Sequence, residues 1–382
     1  MKVLVVGAGI AGTATALGLH KAGHDVTVFE AHPDTAEDIG AFLTLASNGM
    51  RALAELDATD AVTAVGFPLT SLRLLDDRGA EVTRGPLGEA DDPALRYRCL
   101  RRGELSAALQ GEAVRRGIRL RHGARLVSLT DGPDAVTARF ADGTTATGDL
   151  LVGADGLHSA VRRLLAPSVR PVYAGQRVYY GYGRTGAAPE SAAAGAITMV
   201  RGGSTAFGYA VSPTGETYWF ARAAGDPLPA GAAAGPSAVL RAHLLPLLRA
   251  DDTPAAGLVE AGDSIMVTDA TELPLGTVWR GERVLLVGDA AHAASPATGQ
   301  GASMALEDAV VLAKALRDLP GLPAALAGYE RLRRPRVEHN ITVSGGLSRG
   351  TRAPSRPAAV AGRPGTPDAE LVRLLSWREP LS

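Results

Sequence analysis

The first thirty residues constrain the fold of this chain more than any other segment. An apolar, β-favouring run at residues 2–6 leads into the turn Gly7-Ala-Gly9-Ile-Ala-Gly12, and helix-forming residues follow as far as Lys21. The first glycine permits a sharp turn, the second lets a phosphate approach the backbone, and the third lets the helix pack closely on the strand. The sequence therefore predicts a parallel α/β sheet whose first helix begins at a bound dinucleotide.

A second strand, predicted at residues 25–30, ends in the acidic residue Glu30. A carboxylate about twenty residues after the glycine turn can accept hydrogen bonds from the ribose hydroxyls of a dinucleotide. The same charge repels a ribose 2′-phosphate, so NADP is not expected in this turn. The turn by itself does not distinguish NAD from FAD.

Two later segments indicate FAD. A buried strand predicted at residues 283–287 ends at Gly288-Asp289, where a carboxylate can hold the hydroxyls of a ribityl chain. Pro296 and Gly299-Gln-Gly301 then lead into a predicted helix, whose free N–H groups would face the N1–C2=O edge of a flavin and stabilise its reduced, anionic form. In the other segment, a strand runs into Ala154-Asp155-Gly156, although Asp155 and Ser159 taken alone are also compatible with plain turn and capping roles.

In this order the three segments resemble the class A flavoprotein monooxygenases, the aromatic-hydroxylase family that includes salicylate and p-hydroxybenzoate hydroxylases. The resemblance covers about residues 1–340. It implies an α/β fold: a Rossmann-like FAD-binding domain with an inserted, mostly antiparallel β-sheet substrate domain and C-terminal helices. It also implies the reaction. NADH or NADPH docks transiently and reduces FAD, and O₂ is then used through a C4a-hydroperoxyflavin to hydroxylate or epoxidise an aromatic or apolar small molecule, with secondary metabolites among the candidates.

The resemblance also assigns cofactor-binding positions. Gly7, Gly9, Ala11, Gly12 and Glu30 would hold the ADP half of FAD, and the backbone at Leu126 would meet the adenine. The positions that match motifs along the flavin and ribityl chain are Gly40, Ala41, Arg102, Asp155, Asp289, Pro296, Gly299, Gly301 and Ala302. Asp155 belongs to an Asp-Gly motif that the family links to both FAD and NAD(P)H.

The chain is predicted to form discontinuous domains. The FAD-binding domain is expected at residues 1–71, 97–168 and 262–320, and the substrate domain at residues 72–96 and 169–261. A helical segment at residues 321–382 would contain a linker at 345–367 that is rich in Pro and Gly.

The strand-like region after residue 170 is rich in aromatic residues. Eight of the 17 aromatic side chains fall between Tyr179 and Phe220. Candidates for the substrate wall are Tyr180, Tyr182, Phe207, Tyr209 and Phe220. Because strands favour aromatic residues in any case, each is also compatible with ordinary core packing. Arg184 and Arg222 are candidates either for anchoring a substrate carboxylate or for the surface.

Composition and the absence of certain motifs argue against several other classes of protein. A formal net charge of -1 gives no basic excess for nucleic acid, and the single cysteine, Cys99, allows no intrachain disulfide. No His-Glu-x-x-His or other metal-ligand spacing occurs, and the apolar run at the N-terminus is too short for a signal peptide or a membrane span. We expect a cytoplasmic monomer or homodimer with no metal, nucleic-acid or membrane partner.

Two alternatives of mechanism remain open at this point. No second Gly-x-Gly-x-x-Gly turn occurs, so a resident nicotinamide domain is not expected, but a non-oxygenating reductase or dehydrogenase could use the same scaffold. A flavin-dependent halogenase needs a strand lysine, and no lysine lies between Lys21 and Lys314. His292 is compatible with packing beside the flavin loop or with proton transfer.

Overall fold

The computed structural model describes the chain except for residues 38–39, 185, 187–188, 190–193, 230, 232, 234, 351–367 and 382. The strands are β1 (Lys2–Val6), β2 (Asp25–Phe29), β3 (Phe42–Leu45), β4 (Phe67–Leu69), β5 (Ser71–Leu75), β6 (Glu81–Pro86), β7 (Tyr97–Arg101), β8 (Arg119–Arg121), β9 (Leu126–Asp131), β10 (Val136–Phe140), β11 (Thr145–Gly148), β12 (Leu150–Gly153), β13 (Val172–Gly183), β14 (Ala196–Arg201), β15 (Thr205–Val211), β16 (Thr217–Ala224), β17 (Gly262–Glu272) and β18 (Val284–Leu286). The helices are α1 (Ile10–Lys21), α2 (Ser47–Glu55), α3 (Thr59–Thr63), α4 (Arg102–Arg115), α5 (Ala160–Leu165), α6 (Ser237–Leu248), α7 (Ala255–Ala261), α8 (Asp289–His292), α9 (Gly301–Asp318), α10 (Leu322–Ser348) and α11 (Ala369–Leu375).

A parallel five-stranded sheet, ordered β18-β12-β1-β2-β8, forms the centre of the first layer. Its inner strands are continuous apolar runs because helices cover both faces of a parallel sheet. All three residues of β18 and the apolar residues of β12 are fully buried. The carboxyl ends of β1, β12 and β18 lie side by side, so three turns that are far apart in the sequence meet at one edge of the sheet.

A second, seven-stranded sheet has the order β17-β13-β16-β15-β14-β5-β6. Only the β14–β5 pairing is parallel, and the other five are antiparallel. The α/β fold with an inserted, mostly antiparallel sheet is therefore confirmed. β17, which begins at Gly262, pairs with β13 at one edge of this sheet.

Helices α6 and α7 cover one face of the seven-stranded sheet. Leu240, Leu244 and Val259 from these helices form a single buried cluster with Phe207 and Trp219 from the sheet. The three-stranded sheet β3-β7-β4 contributes Phe42, Phe67 and Leu69 to an apolar cluster on the opposite face. The two faces of the sheet therefore have different surroundings, and only one of them turns toward the parallel sheet.

The C-terminal helices differ from the prediction in one respect. Helix α10 continues to Ser348 through Gly345 and Gly346, which are poor helix formers, whereas the Pro- and Gly-rich composition of residues 345–367 predicted a linker from residue 345 onward. Tertiary contacts override this propensity, since Ser344 and Ser348 are buried and their hydroxyls bond the backbone and side chain of Ser295. Most of the predicted linker, residues 351–367, lies outside the described residues.

Helix α9 is the central helix of the molecule, with 13 of its 18 residues buried. It packs between α1, α2 and α10, which explains why its sequence is apolar on most sides. None of the helices in the described ranges is long and apolar enough to cross a membrane.

Candidate active site

The glycine turn after β1 has the geometry that its sequence predicts. Gly7 has a φ of +104°, which a residue with a side chain rarely adopts. A Cβ at Gly12 would lie 1.9 Å from the carbonyl oxygen of Gly7, so the tight packing of helix on turn requires glycine there. A Cβ at Gly9 would meet no atom within 4 Å, because this position opens on a cavity. Gly9 therefore leaves room for a ligand rather than for the protein itself.

The N-terminus of α1 is ready to bind an anion. Its first backbone hydrogen bond runs from the N–H of Thr13 to the carbonyl of Gly9, at 3.0 Å. The N–H groups of residues 10–12 have no acceptor among the described residues, and the first turn contains no acidic residue. Free N–H groups and the positive end of the helix dipole together favour a phosphate at this position.

Glu30 lies just beyond the end of β2 and closes the same turn. Its Oε2 accepts the N–H of Ala8 at 2.6 Å, and its Oε1 accepts the N–H of His32 at 2.7 Å. Each carboxylate oxygen has a second lone pair, which leaves both free to accept a ribose hydroxyl. The segment that leads to Leu126 lies beside Glu30, since the N–H of Ala124 donates to the carbonyl of Glu30 at 2.7 Å. Leu126 itself is buried and does not line the cavity.

The turn after β12 places its carboxylate away from the cavity. Asp155 Oδ2 accepts the N–H groups of Ala160 and Val161, at 2.7 and 3.1 Å, and Oδ1 bonds the hydroxyl of Ser159. Asp155 therefore holds the first turn of α5, while the neighbouring residues Ala154 and Gly156 line the cavity. Asp155 therefore has the geometry of a helix-capping residue, which is one of the two roles that the sequence left open for it.

The turn after β18 presents a free carboxylate. Asp289 lines the cavity, and its side chain has no hydrogen-bond partner among the described residues. Gly288 before it has a φ of 56° and donates its N–H to Asp308 Oδ2 at 2.9 Å. The hydrogen bond to Asp308 thus fixes the backbone of the turn, while the carboxylate of Asp289 remains available to a ligand with hydroxyl groups.

A loop at residues 294–299 and the N-terminus of α9 form the next part of the wall. The first helical hydrogen bond of α9 runs from the N–H of Met304 to the carbonyl of Gln300, so the N–H groups of residues 301–303 precede it. The loop is fixed to α10: Thr298 Oγ1 donates to Asn340 Oδ1 at 2.9 Å, and the N–H of Thr298 donates to Ser344 Oγ at 3.2 Å. These contacts hold a set of free N–H donors at the edge of the cavity.

A buried network of charges supports this wall. Arg333 is fully buried and bonds Glu307 at 2.5 Å and Asp308 at 2.8 Å, while His292 Nε2 lies 2.5 Å from Asp308 Oδ2. Burial works against ionisation of Asp308, but His292 and Arg333 outweigh it and lower the pKa of this carboxyl to about 2. His292 does not line the cavity, which favours a supporting role for it over proton transfer.

The cavity itself has a volume of about 620 Å³ and lies between the edge of the parallel sheet and one face of the seven-stranded sheet. This volume falls in the range of small-molecule sites. The residues of the seven-stranded sheet that line it, here termed the substrate wall, are Val178, Tyr180, Ile197, Met199, Phe220, Arg222, Met266, Val267 and Thr268. Phe42, Leu43 and Thr44 of β3 complete the apolar side.

The aromatic candidates divide between the two faces of the sheet. Tyr180 and Phe220 line the cavity, and Tyr182 packs against Phe42 without lining it. Phe207 and Tyr209 do not line the cavity, because both are buried on the opposite face with α6 and α7. Successive side chains of a strand point to opposite faces, so residue parity within each strand decides which aromatics reach the cavity.

The two candidate arginines also separate. Arg184 pairs with Asp263, and both side chains are more than two-thirds exposed. Arg222 lines the cavity and donates from Nη1 to the carbonyl of Ala297 at 3.1 Å. Burial lowers the pKa of the Arg222 guanidinium, with a smaller opposing effect from Tyr180.

Most of the predicted cofactor positions therefore surround one cavity. Those that line it are Gly9, Ala11, Gly40, Ala41, Arg102, Asp289, Pro296, Gly299, Gly301 and Ala302. Gly7, Gly12 and Glu30 shape the turn beside it, whereas Leu126 and Asp155 face elsewhere. Sequence reasoning did not single out Phe42, Met199 or Met266, because nothing in their local sequence distinguishes them from other apolar strand residues. No group of His, Cys, Asp or Glu that could hold a metal ion occurs in the described part of the chain.

Comparisons with known proteins agree with this arrangement. The sequence profile of a family described as FAD binding domain matches residues 1–344. The aurachin C monooxygenase/isomerase of Stigmatella aurantiaca is 35% identical over 347 residues, which cover 90% of this chain and 88% of that protein. The FAD-dependent urate hydroxylase of Klebsiella pneumoniae is 34% identical, covering 88% of this chain and 87% of that protein.

A solved structure has the same fold. The Klebsiella pneumoniae protein HpxO, determined in complex with FAD and uric acid, superposes with a TM-score of 0.80 at 30% sequence identity. The match covers 91% of this chain and 88% of that one.

Proposed function

The chain belongs to the FAD-dependent aromatic hydroxylases, the class A flavoprotein monooxygenases, and on this premise we propose that it oxygenates a flat aromatic or heteroaromatic molecule held against the substrate wall. The observation that carries the proposal is the single cavity in which Asp289 and the free N–H groups of α1 and α9 face an apolar wall containing Tyr180 and Phe220. Relatives are named for aurachin C and urate, and the matched structure contains uric acid.

The residues present fit the adenosine ribose, pyrophosphate, ribityl chain and flavin of FAD. Gly9 opens on the cavity where a pyrophosphate would approach the N-terminus of α1, and Glu30 has lone pairs for the adenosine ribose. Asp289 has an unused carboxylate for the ribityl hydroxyls, and the N-terminus of α9 would face the pyrimidine edge of the flavin. We propose that Gly40, Ala41 and Arg102 lie along the ring system from the other side.

Bound FAD, reduced by NAD(P)H, supplies the electrons with which one atom of O₂ enters the substrate while the other leaves as water. The protein contributes position and a water-poor environment. Phe42 packs edge to face on Tyr180 and at a tilt of 44° on Phe220, with ring-centroid distances of 6.1 and 6.4 Å, so the three rings form a continuous apolar surface over the reaction space. A closed apolar wall limits the access of water and so protects the oxygen transfer from wasteful release of peroxide. Because the reductant is NAD(P)H, we propose that the enzyme works in the cytoplasm.

The direct test is oxygen incorporation. The holoenzyme is mixed with NADH or NADPH, a panel of aromatic and heteroaromatic compounds and ¹⁸O₂, and products are examined by mass spectrometry. We expect one ¹⁸O atom in the product, with NAD(P)H consumption that increases when a substrate is present. Product formed equally well without O₂ would instead favour a non-oxygenating reductase or dehydrogenase.

A variant with a weakened cofactor site provides the control. Asp289→Ala removes the unused carboxylate. The loss of hydrogen bonds to a charged group costs about 1.5–3 kcal/mol, so we expect the dissociation constant of FAD to rise roughly 10- to 100-fold. Asp91→Asn, on an exposed residue, is the matched substitution and should keep full flavin absorbance. If Asp289→Ala purified with full FAD occupancy and unchanged affinity, the proposed cofactor position would be incorrect.

A further inference from the structure

Arg222 is the one charged residue among those that form the substrate wall. It lies on β16 two residues after Phe220, on the face that lines the cavity. Its cross-strand partner on β15 is the small residue Ala206. Its Cζ lies 5.8 Å from the ring centroid of Phe220. The guanidinium is therefore placed beside the aromatic surface on which a flat substrate would rest.

The hydrogen-bonding capacity of Arg222 is mostly unused. Nη1 donates to Ala297, but Nε is buried and has no acceptor among the described residues. The buried arginines Arg98 and Arg333 have more partners than the half-buried Arg222: Arg98 bonds three backbone carbonyls, and Arg333 bonds two carboxylates. A guanidinium has five N–H donors, so Arg222 has several left for a ligand.

No acidic side chain in the described part of the chain forms an ion pair with Arg222. Asp289 is the one acidic residue among the described cavity-lining residues, and it forms no ion pair with Arg222. Tyr180 on the wall interacts electrostatically with Arg222, but burial raises the pKa of its hydroxyl, so that it is neutral near pH 7. A buried charge without a partner is unfavourable, and a ligand that brings the opposite charge removes this penalty.

We propose that Arg222 is the specificity-determining residue of the substrate wall and that it selects an aromatic substrate bound as an anion, with an ionised oxygen directed at the guanidinium. The inference rests on the proposed function for the identity of the site, because it assumes that the substrate lies on the wall of Tyr180 and Phe220. It adds the charge of the substrate, which the family membership does not specify.

The test measures binding rather than turnover. Small aromatic probes of matched shape are titrated into the holoenzyme near pH 7, and the change in flavin absorbance gives their dissociation constants. Benzoate is compared with benzamide, and pentafluorophenolate with pentafluoroaniline, so that carboxylate and phenolate oxygens are examined separately. We expect the anion of at least one pair to bind about 10- to 100-fold more tightly than its neutral partner.

Variants distinguish recognition from a structural role. Arg222→Gln should abolish the preference for the anion while leaving the neutral probe nearly unchanged, and Arg222→Lys should retain part of the preference. Arg201→Gln removes the same charge from an exposed position on β14 and should behave as the wild type. Equal weakening of both probes in Arg222→Gln would mean that Arg222 only holds the loop at Ala297.

The remaining outcomes are also decisive. Equal affinity for both members of each pair, or no binding of any probe at millimolar concentration, would overturn the proposal. A clear anion preference without ¹⁸O incorporation into any product would support the proposed binding role and contradict the proposed function. Incorporation of ¹⁸O into a product without any anion preference would support the proposed monooxygenase function and exclude Arg222 as the residue that selects the substrate.

Discussion

Gly9 and Gly12 lie in the same turn but are required for different reasons, and substitution can separate them. A Cβ at Gly12 would collide with the carbonyl of Gly7, whereas a Cβ at Gly9 would enter open space. We therefore expect Gly12→Ala to destabilise the apoprotein by several degrees in melting temperature. Gly9→Ala should leave the apoprotein melting temperature nearly unchanged and weaken FAD binding at least tenfold, because the methyl group occupies the space of the pyrophosphate.

Melting curves of FAD-free protein and titration with FAD test this pair. Gly111→Ala is a suitable control, since this helix α4 glycine has no atom near its added Cβ and lies outside the cavity. If Gly9→Ala bound FAD as tightly as the wild type, the phosphates would not pass over this turn.

Residues whose role depends on local backbone geometry were predictable from the sequence. The glycine turn and Gly288-Asp289 were identified from spacing alone, because strand, turn and helix are set by neighbours in the chain. Arg222 could not be assigned, since the same residue type at the end of a strand is equally suited to solvent. Its role depends on which face of the sheet meets the loop at Ala297, and that is a contact between segments 75 residues apart.

At the level of elements, one face of the seven-stranded sheet packs against α6 and α7 and contributes to stability, and the other face lines the cavity. Phe207 is fully buried and stacks on Trp219 at 5.8 Å, while Phe220 on the neighbouring strand lines the cavity. We expect Phe207→Ala to lower the free energy of unfolding by about 3–5 kcal/mol through the cavity it leaves. Phe220→Ala should cost less stability and should change substrate affinity or the ratio of products.

Urea unfolding and steady-state kinetics on the two variants measure these effects. Phe207→Leu keeps most of the buried volume and is expected to restore much of the stability. A change in substrate selectivity from Phe207→Ala as large as that from Phe220→Ala would contradict the assignment of the two faces.

The elements show where sequence patterns reach their limit. Helix α1 was predicted to run from the glycine turn to Lys21, and it ends there, since the turn and the helix-forming residues after it are a strong local signal. Helix α10 extends into the predicted linker as far as Ser348, because hydroxyl contacts to Ser295 overcome the low helix propensity of Gly345 and Gly346. Of the five aromatic candidates, two line the cavity: composition located the sheet, but only its packing decides which face each side chain occupies.

For the molecule as a whole, the buried charges around Arg333 link stability to pH. The pKa of Asp308 is about 2 in the folded protein and close to 3.8 in the unfolded chain, so its ionised form stabilises the fold. This contribution is complete above about pH 4 and is lost as the pH falls toward 2. It amounts to roughly 2 kcal/mol.

Asp308→Asn should therefore be less stable than the wild type near pH 7, since Arg333 and His292 lose a charged partner. The difference should shrink as the pH falls from 4 to 2. Urea midpoints of the holoprotein with excess FAD, measured across this range, test the expectation, with Asp91→Asn as an exposed control. Parallel pH profiles for wild type and Asp308→Asn would show that the carboxyl does not contribute in this way.

The three segments that carried the family resemblance lie together because parallel strands align their carboxyl ends at one edge of the sheet. The turns at residues 7–12 and 154–156 and the carboxylate of Asp289 border one cavity. The substrate wall could not be built in this way, because it combines residues from β3, β13, β14, β16 and β17 that share no spacing in the sequence.

The two-faced sheet has a consequence for how such enzymes diversify. On β13 and β16 the residues that touch the reaction space alternate with those that hold α6 and α7 in place. Substitutions at positions such as Tyr180, Met199 and Phe220 can therefore reshape the chamber while the neighbouring positions keep the scaffold intact. A directed-evolution library confined to these alternate positions would explore new substrates with few unfolded members, and natural descendants could acquire new chemistry by the same route.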